Sequence, residues 1–267
     1  MLHRPKDSEV RPKGVFHCSP PDSLPLIEAH RGDSANAPEN TIAAFERAMG
    51  LGVACIELDV RPASDGTLMV MHDDSVDRTT NGTGAVRGLS VDELLRLDAG
   101  RLHSPAYAGE RIPRLIDVLE LAKDQAARLN IEIKSSPAGV DVPLAVVDLL
   151  RQFGKQDEYI VSSFDLQALL DVRRIAPEIP LAIIGNGPEI LPLALRHQFP
   201  WMHAKHSTIS ANLVLQAHAR SIRVNAWTVD DPATLPGWAK TGVDKICTNQ
   251  PARMLAAAAA MEGECPS

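Results

Sequence analysis

This 267-residue sequence lacks a membrane span, a secretory core, a disulfide framework and an excess of positive charge. No run approaches the ~18 consecutive apolar residues of a spanning helix. Residues 1–25 hold charges and several prolines where a secretory signal would carry an apolar core, so a soluble, cytoplasmic protein is expected. The four cysteines, Cys18, Cys55, Cys247 and Cys265, show no CxxC spacing. That argues for buried or incidental thiols in a reducing compartment and against structural zinc. Lys plus Arg total 27 against 34 for Asp plus Glu, a net charge of -7. The sign is wrong for gathering nucleic acid or an anionic membrane by the overall field, so neither partner is expected and an anionic ligand must be met locally.

What is present is an ordinary globular composition, 45% hydrophobic and 23% charged, with enough apolar material for a substantial core. The length is close to the ~250 residues typical of a single α/β barrel. Short apolar or β-branched runs alternate with longer helical patterns, the signature of βα units around a parallel sheet. The candidate strands are 26–30, 54–60, 68–72, 129–134, 159–164, 181–185, 202–206, 223–229 and 245–249. Nine is one too many for a barrel of eight. The surplus falls at 68–72, because only residues 61–67 separate it from the preceding run. A parallel crossover needs roughly a dozen residues or more, so the pairing of this run stays open. Helical patterns cover 39–51, 112–127, 140–153, 165–175 and 210–220. Residues 73–111 break the rhythm with a short helical pattern at 91–97 and read as an excursion. The expected organisation is a poorly structured extension at 1–24 and a (β/α)8 barrel at 25–260 with its insertion at 73–111. An alanine-rich helix over 252–261 leads into a frayed tail at 261–267.

Glu57 and Asp59 are two residues apart, separated by Leu58 and flanked by Ile56 and Val60. The strand period of two puts both carboxylates on one face. Asn130-Ile131-Glu132-Ile133-Lys134 repeats the pattern, placing Glu132 and Lys134 together and leaving the isoleucines to pack beneath helices. Charges therefore point where a barrel interior should be. Desolvating three carboxylates together is costly unless protons or a cation compensate them. One reading is an inward salt-bridge network with Lys134 and Arg31. The other, favoured by the recurrence on two strands, is a hard divalent ion, Mg²⁺ or Ca²⁺, which takes oxygen ligands.

His30 closes one apolar run in Ala29-His30-Arg31-Gly32, and His72 closes another in Val70-Met71-His72-Asp73-Asp74. Strand ends are where barrels of this kind assemble active sites, and histidines titrate near neutrality, so the two can supply a base and an acid. Arg31 offers a fork of donors to phosphate oxygens and Lys134 a point charge. Asn81-Gly82 and Asn186-Gly187 read as turns. His103, His197, His203, His206 and His218 carry no acidic partner pattern and are assigned no role.

The run from His30 to Gly84 resembles the signature of the glycerophosphodiester phosphodiesterase family almost from end to end. Ile112-Pro113-Arg114-Leu115, Ser162-Ser163-Phe164, Ala226-Trp227-Thr228-Val229 and Gly242-Val243-Asp244 agree with it, over roughly residues 26–255. The resemblance implies a TIM-type barrel enzyme that hydrolyses a glycerophosphodiester, such as a deacylated phospholipid, to sn-glycerol 3-phosphate and an alcohol. It implies Glu57, Asp59 and Glu132 as ligands of a divalent metal, Mg²⁺ or Ca²⁺, and His30 and His72 as the acid/base pair, in either order. Arg31 and Lys134 would hold the phosphate. Trp227 would lie near the glycerol, with a core position as the competing reading. The implied route is attack of the glycerol 2-hydroxyl on phosphorus, giving a cyclic phosphate that water opens. Glu39 and Asn40 fit either substrate contact or support of a helix start. The departures are Asn249, where an aspartate is common, Asp33 after the His-Arg-Gly motif, and Glu28 beside His30, which is either a support for the site or part of a local ion pair. The competing functions are a lysophospholipase D on acylated glycerophosphodiesters and a barrel that binds phosphodiesters without turnover.

Overall fold

The strands are β1 (Leu26–His30), β2 (Cys55–Pro62), β3 (Leu68–Val70), β4 (Leu129–Ile133), β5 (Ile160–Ser163), β6 (Leu181–Gly185), β7 (Trp201–Lys205), β8 (Arg223–Trp227) and β9 (Lys245–Thr248). They come from a computed structural model that describes residues 23–125, 127–134, 140–154, 158–187 and 189–263. Cys18, Cys265 and residues 1–22 lie outside the described residues. The helices are α1 (Ile42–Gly50), α2 (Val91–Leu94), α3 (Leu115–Asp124), α4 (Val142–Phe153), α5 (Leu166–Ile175), α6 (Ile190–His197), α7 (Ala211–His218), α8 (Leu235–Thr241) and α9 (Pro251–Gly263).

Every strand but β3 pairs in parallel with its neighbours, and β1 pairs with both β2 and β9, so the sheet closes into an eight-stranded barrel. The ninth strand settles the open pairing. β3 folds back antiparallel on β2, with Val60 opposite Val70 and Pro62 opposite Leu68. The connector is too short for a crossover but suits a hairpin. Gly66 takes a φ of 88° there, and the Asp65 carboxylate accepts the Thr67 N–H at 2.9 Å. After the hairpin the Met71 N–H donates to the Asp59 carbonyl at 3.0 Å, which sets His72 beside the end of β2.

Alternation along the strands divides the molecule into two interiors. Ile27, Ala29, Ile56, Leu58, Ile131 and Ile133 point outward into the main apolar core beneath the helices. The other set faces the barrel axis. Its floor is Ile160, Ala182 and Trp201, with the Arg223 guanidinium 4.0 Å and the Lys245 ammonium 4.8 Å from the Trp201 ring centroid. Lys245 also ion-pairs with Glu28, which accepts from Asn225 Nδ2 at 2.6 Å. Burial alone would push the Glu28 carboxyl up, but Lys245, His203 and Asn225 together outweigh it and bring the pKa down to about 2. Glu28 is thus part of an ion pair at the barrel floor.

Residues 73–111 contribute Val76, Val86, Leu94 and Ala99 to a second apolar cluster, which they share with Ala63, Met69, Met71 and Ile112. At the two ends of the described residues, Leu24 packs on the main core and α9 runs to Gly263.

The His-Arg-Gly turn is sterically exacting. Gly32 has a φ of 84°, and a Cβ there would lie 2.6 Å from the Ala44 carbonyl carbon of α1. Gly32→Ala is expected to destabilise the fold by about 2 kcal/mol or more, from strain plus a backbone clash. Urea unfolding checks this, and an unchanged midpoint would contradict the assigned close approach.

Candidate active site

The strand register builds the site. His30 lies opposite Glu57 across β1 and β2, and Asp59 lies opposite Glu132 across β2 and β4. Because these residues share the inward parity, one oxygen from each of Glu57, Asp59 and Glu132 falls within 4.8 Å of the others, all three residues buried. The carboxylates cannot all ionise cheaply in so little space. Burial, then Asp59 and Glu132, push Glu57 well above the usual range. Burial and repulsion from Asp59 raise Glu132 to about 7. For Asp59 the upward push of burial is overcome by Lys134 and Arg31, and its carboxyl is lowered.

The cations hold the cluster only in part. Lys134 Nζ lies 2.8 Å from Asp59 and 2.5 Å from Glu132, and Arg31 Nε lies 3.2 Å from Asp59. The Arg31 N–H donates to Glu57 Oε2 at 3.0 Å, whereas Glu57 Oε1 is buried without a hydrogen-bond partner. An all-oxygen set with one orphaned carboxylate oxygen and two carboxyls held toward their protonated forms fits a hard divalent cation. The ion-pair network anticipated as the rival is present too, and no Lys or Arg side chain among the described residues is seen to pair with Glu57 within it.

The two histidines face this cluster from different elements. His30 Nε2 lies 3.9 Å from Glu57, and its Nδ1 meets Asn249 Oδ1 at 2.7 Å. His72 Nδ1 donates to the Asp73 carboxylate at 2.6 Å. Burial, with Arg31, lowers the pKa of both, and Lys134 adds to the effect at His72. Trp227 stands half-buried on the wall, not in the core, its ring nearly perpendicular to that of Phe164 with centroids 5.6 Å apart. Seven of the eight candidate residues line one cavity of about 160 Å³, and Asp59 lies fully buried behind its wall.

Asn40 and Glu39 have divided roles. Asn40 Nδ2 donates to Asp59 at 2.8 Å, while Thr41 caps α1. Glu39 accepts from Arg31 and from Arg78, and Arg78 also holds Asp73, so a chain of ion pairs joins the His30 loop to the His72 loop. Sequence reasoning missed Arg78 and Asp73 as parts of this chain. It also missed the cavity floor, where Asn130 Oδ1, Ser162 Oγ, His203 Nε2 and Asn225 Oδ1 are buried without hydrogen-bond partners among the described residues. Inward parity was the available signal for all four. His218 does have an acidic partner, Asp244 at 2.8 Å, contrary to the sequence reading, but neither residue lines the cavity.

Fold and site together define a TIM-barrel hydrolase suited to an anionic ester. A profile of the glycerophosphoryl diester phosphodiesterase family matches residues 30–253. A glycerophosphodiester phosphodiesterase of Caldanaerobacter subterraneus is 40% identical over 235 residues, which is 86% of this chain and 96% of the relative. An Oleispira antarctica phosphodiesterase, solved in complex with the product sn-glycerol-3-phosphate, superposes with a TM-score of 0.83 at 30% identity, covering 88% of this chain and 96% of that one. A glycerophosphodiester phosphodiesterase from Agrobacterium tumefaciens gives 0.77 at 30% identity, covering 87% and 100%. The chain belongs to the glycerophosphoryl diester phosphodiesterase family.

The raised Glu132 has a consequence for stability. Its folded pKa of about 7 lies above the ordinary 4.5, so the folded state holds the extra proton between these values. Stability from this group is complete below the lower value and is lost as pH rises through the upper one. Metal-free wild type should therefore lose melting temperature relative to Glu132→Gln between about pH 5 and about pH 8. Scanning calorimetry of both proteins checks this, and parallel curves would contradict it.

Proposed function

We propose that this chain hydrolyses glycerophosphodiesters to sn-glycerol 3-phosphate and an alcohol, with Glu57, Asp59 and Glu132 holding a divalent cation, Mg²⁺ or Ca²⁺. The barrel at 25–260, with its insertion at 73–111, is taken as the catalytic unit. The observation that carries the reading is the buried acidic triad set between two histidines at the strand ends. A bound hard cation supplies charge neutralisation for the triad and for a phosphodiester anion.

The chain's own residues do the rest. Arg31 and Lys134 stand at the triad's edge, where their remaining donors meet phosphate oxygens. His30 Nε2, on the Glu57 side, takes the proton of the glycerol 2-hydroxyl as that oxygen attacks phosphorus. His72 gives a proton to the departing alcohol oxygen. The Asp73 carboxylate on its Nδ1 favours the imidazolium, and the anionic substrate favours it further. Water then opens the cyclic phosphate with the roles reversed: His72 accepts a proton from water and His30 returns one to the glycerol oxygen. The unpartnered polar atoms of the cavity floor give glycerol hydroxyls their hydrogen bonds, and Trp227 covers the apolar face of the three-carbon unit.

His30→Ala and His72→Ala should each lower turnover roughly a hundredfold or more while leaving the melting temperature close to wild type. The assay is glycerol 3-phosphate release from glycerophosphocholine and glycerophosphoethanolamine by metal-stripped protein, before and after Mg²⁺ or Ca²⁺. Turnover near wild type in either variant removes that histidine from the mechanism. Release from acylated substrates alone would point to the lysophospholipase D reading.

A further inference from the structure

Asn249 stands where an aspartate is common, and its surroundings say what replaces the missing charge. Asp230 Oδ1 accepts the Asn249 N–H at 2.8 Å and the Thr248 hydroxyl at 3.0 Å, and its Oδ2 accepts from Asn249 Nδ2 at 2.7 Å. A carboxylate only accepts, so the amide NH₂ must face Asp230 and the amide oxygen must face the other way. That oxygen accepts from His30 Nδ1 at 2.7 Å and lies 3.0 Å from the Ser34 hydroxyl, whose single proton it shares with the His30 carbonyl at 2.8 Å. An amide oxygen has no proton to give, so His30 carries its own on Nδ1 and keeps the Nε2 lone pair for the Glu57 side, where Nε2 lies 3.9 Å from that carboxylate.

We infer that Asp230 and Asn249 form a positioning relay that locks His30 in the tautomer a base requires. This rests on the reading of His30 as the base. Asp230 fixes the orientation of the Asn249 amide, and the amide fixes the ring. The main chain supports the same arrangement, since the Ala35 N–H donates to the Asn249 carbonyl at 3.0 Å and ties the loop after His30 to the end of β9. The chemistry explains why an amide serves here. A carboxylate at 249 would abut the Asp230 carboxylate, whose oxygens now accept from the Asn249 N–H and Nδ2. The amide transmits orientation and leaves the formal charge one residue further back.

Three variants and one spectrum test the relay. Long-range ¹H–¹⁵N spectra of metal-free wild type, at a pH where His30 is neutral, should show the proton on Nδ1. Asn249→Leu and Asp230→Asn should each lower kcat about tenfold or more with KM within about twofold, part of the ~10²–10⁴ that a positioned base contributes. The exchanged pair, Asp230→Asn with Asn249→Asp, restores one carboxylate and one amide in series and should recover kcat to within about threefold of wild type, the non-additivity of coupled residues. Thermal melts identify any variant that fails to fold. An Nε2–H tautomer in wild type overturns the relay, as does an exchanged pair no faster than Asp230→Asn alone. If His30→Ala keeps its turnover, the base assignment fails instead, and the spectrum still decides the tautomer.

Discussion

Crowding of like charge is the constraint on which the rest of the site depends. Three buried carboxylates with oxygens inside 4.8 Å of one another can be held only by protons, cations or both. Lys134 and Arg31 offset Asp59, whose carboxyl stays low, but Glu57 and Glu132 are driven up toward their protonated forms. A site in this condition is poised to exchange those protons for a divalent cation. The same cations that steady it remain at its rim, where an anionic ester would meet them.

The fold answers this constraint with a division of labour along each strand. Outward residues such as Leu58 and Ile131 bury apolar surface under the helices, which frees the inward positions for polar groups. The Glu28–Lys245 pair and the cations over Trp201 close the floor of the barrel, and the acidic triad and the two histidines occupy the upper layer. The hairpin of β2 and β3 returns His72 to the rim. The chain of Arg31, Glu39, Arg78 and Asp73 then couples the two histidine loops, so His30 and His72 are held by one connected network.

Features carried by local pattern were legible in the sequence. The alternation of Ile56-Glu57-Leu58-Asp59-Val60 reports the face of each side chain through strand parity alone, and the barrel places that face inward. The spacing of 61–67 ruled out a parallel crossover but could not show where β3 would pair, because register is set by a partner strand. The resemblance quoted from His30 onward pointed to the family that the comparisons establish. What local pattern could not reach were contacts between distant segments: Asn249 with His30 across 219 positions, Arg78 with Glu39 across 39, and His218 with Asp244 across 26. His203, in the cavity lining, was passed over although strand parity turned it inward, because no acidic residue beside it in the chain marked it out.

Calorimetric titration of Mg²⁺ or Ca²⁺ into metal-free protein near pH 6.5, in two buffers of different ionisation heat, tests the central claim most directly, because binding to ligands that hold protons must release them. The account predicts one cation per chain, a buffer-dependent heat that reports proton release, and loss of both in Glu57→Gln. Binding without proton release, or binding that Glu57→Gln leaves intact, would contradict the acidic triad as the seat of the metal.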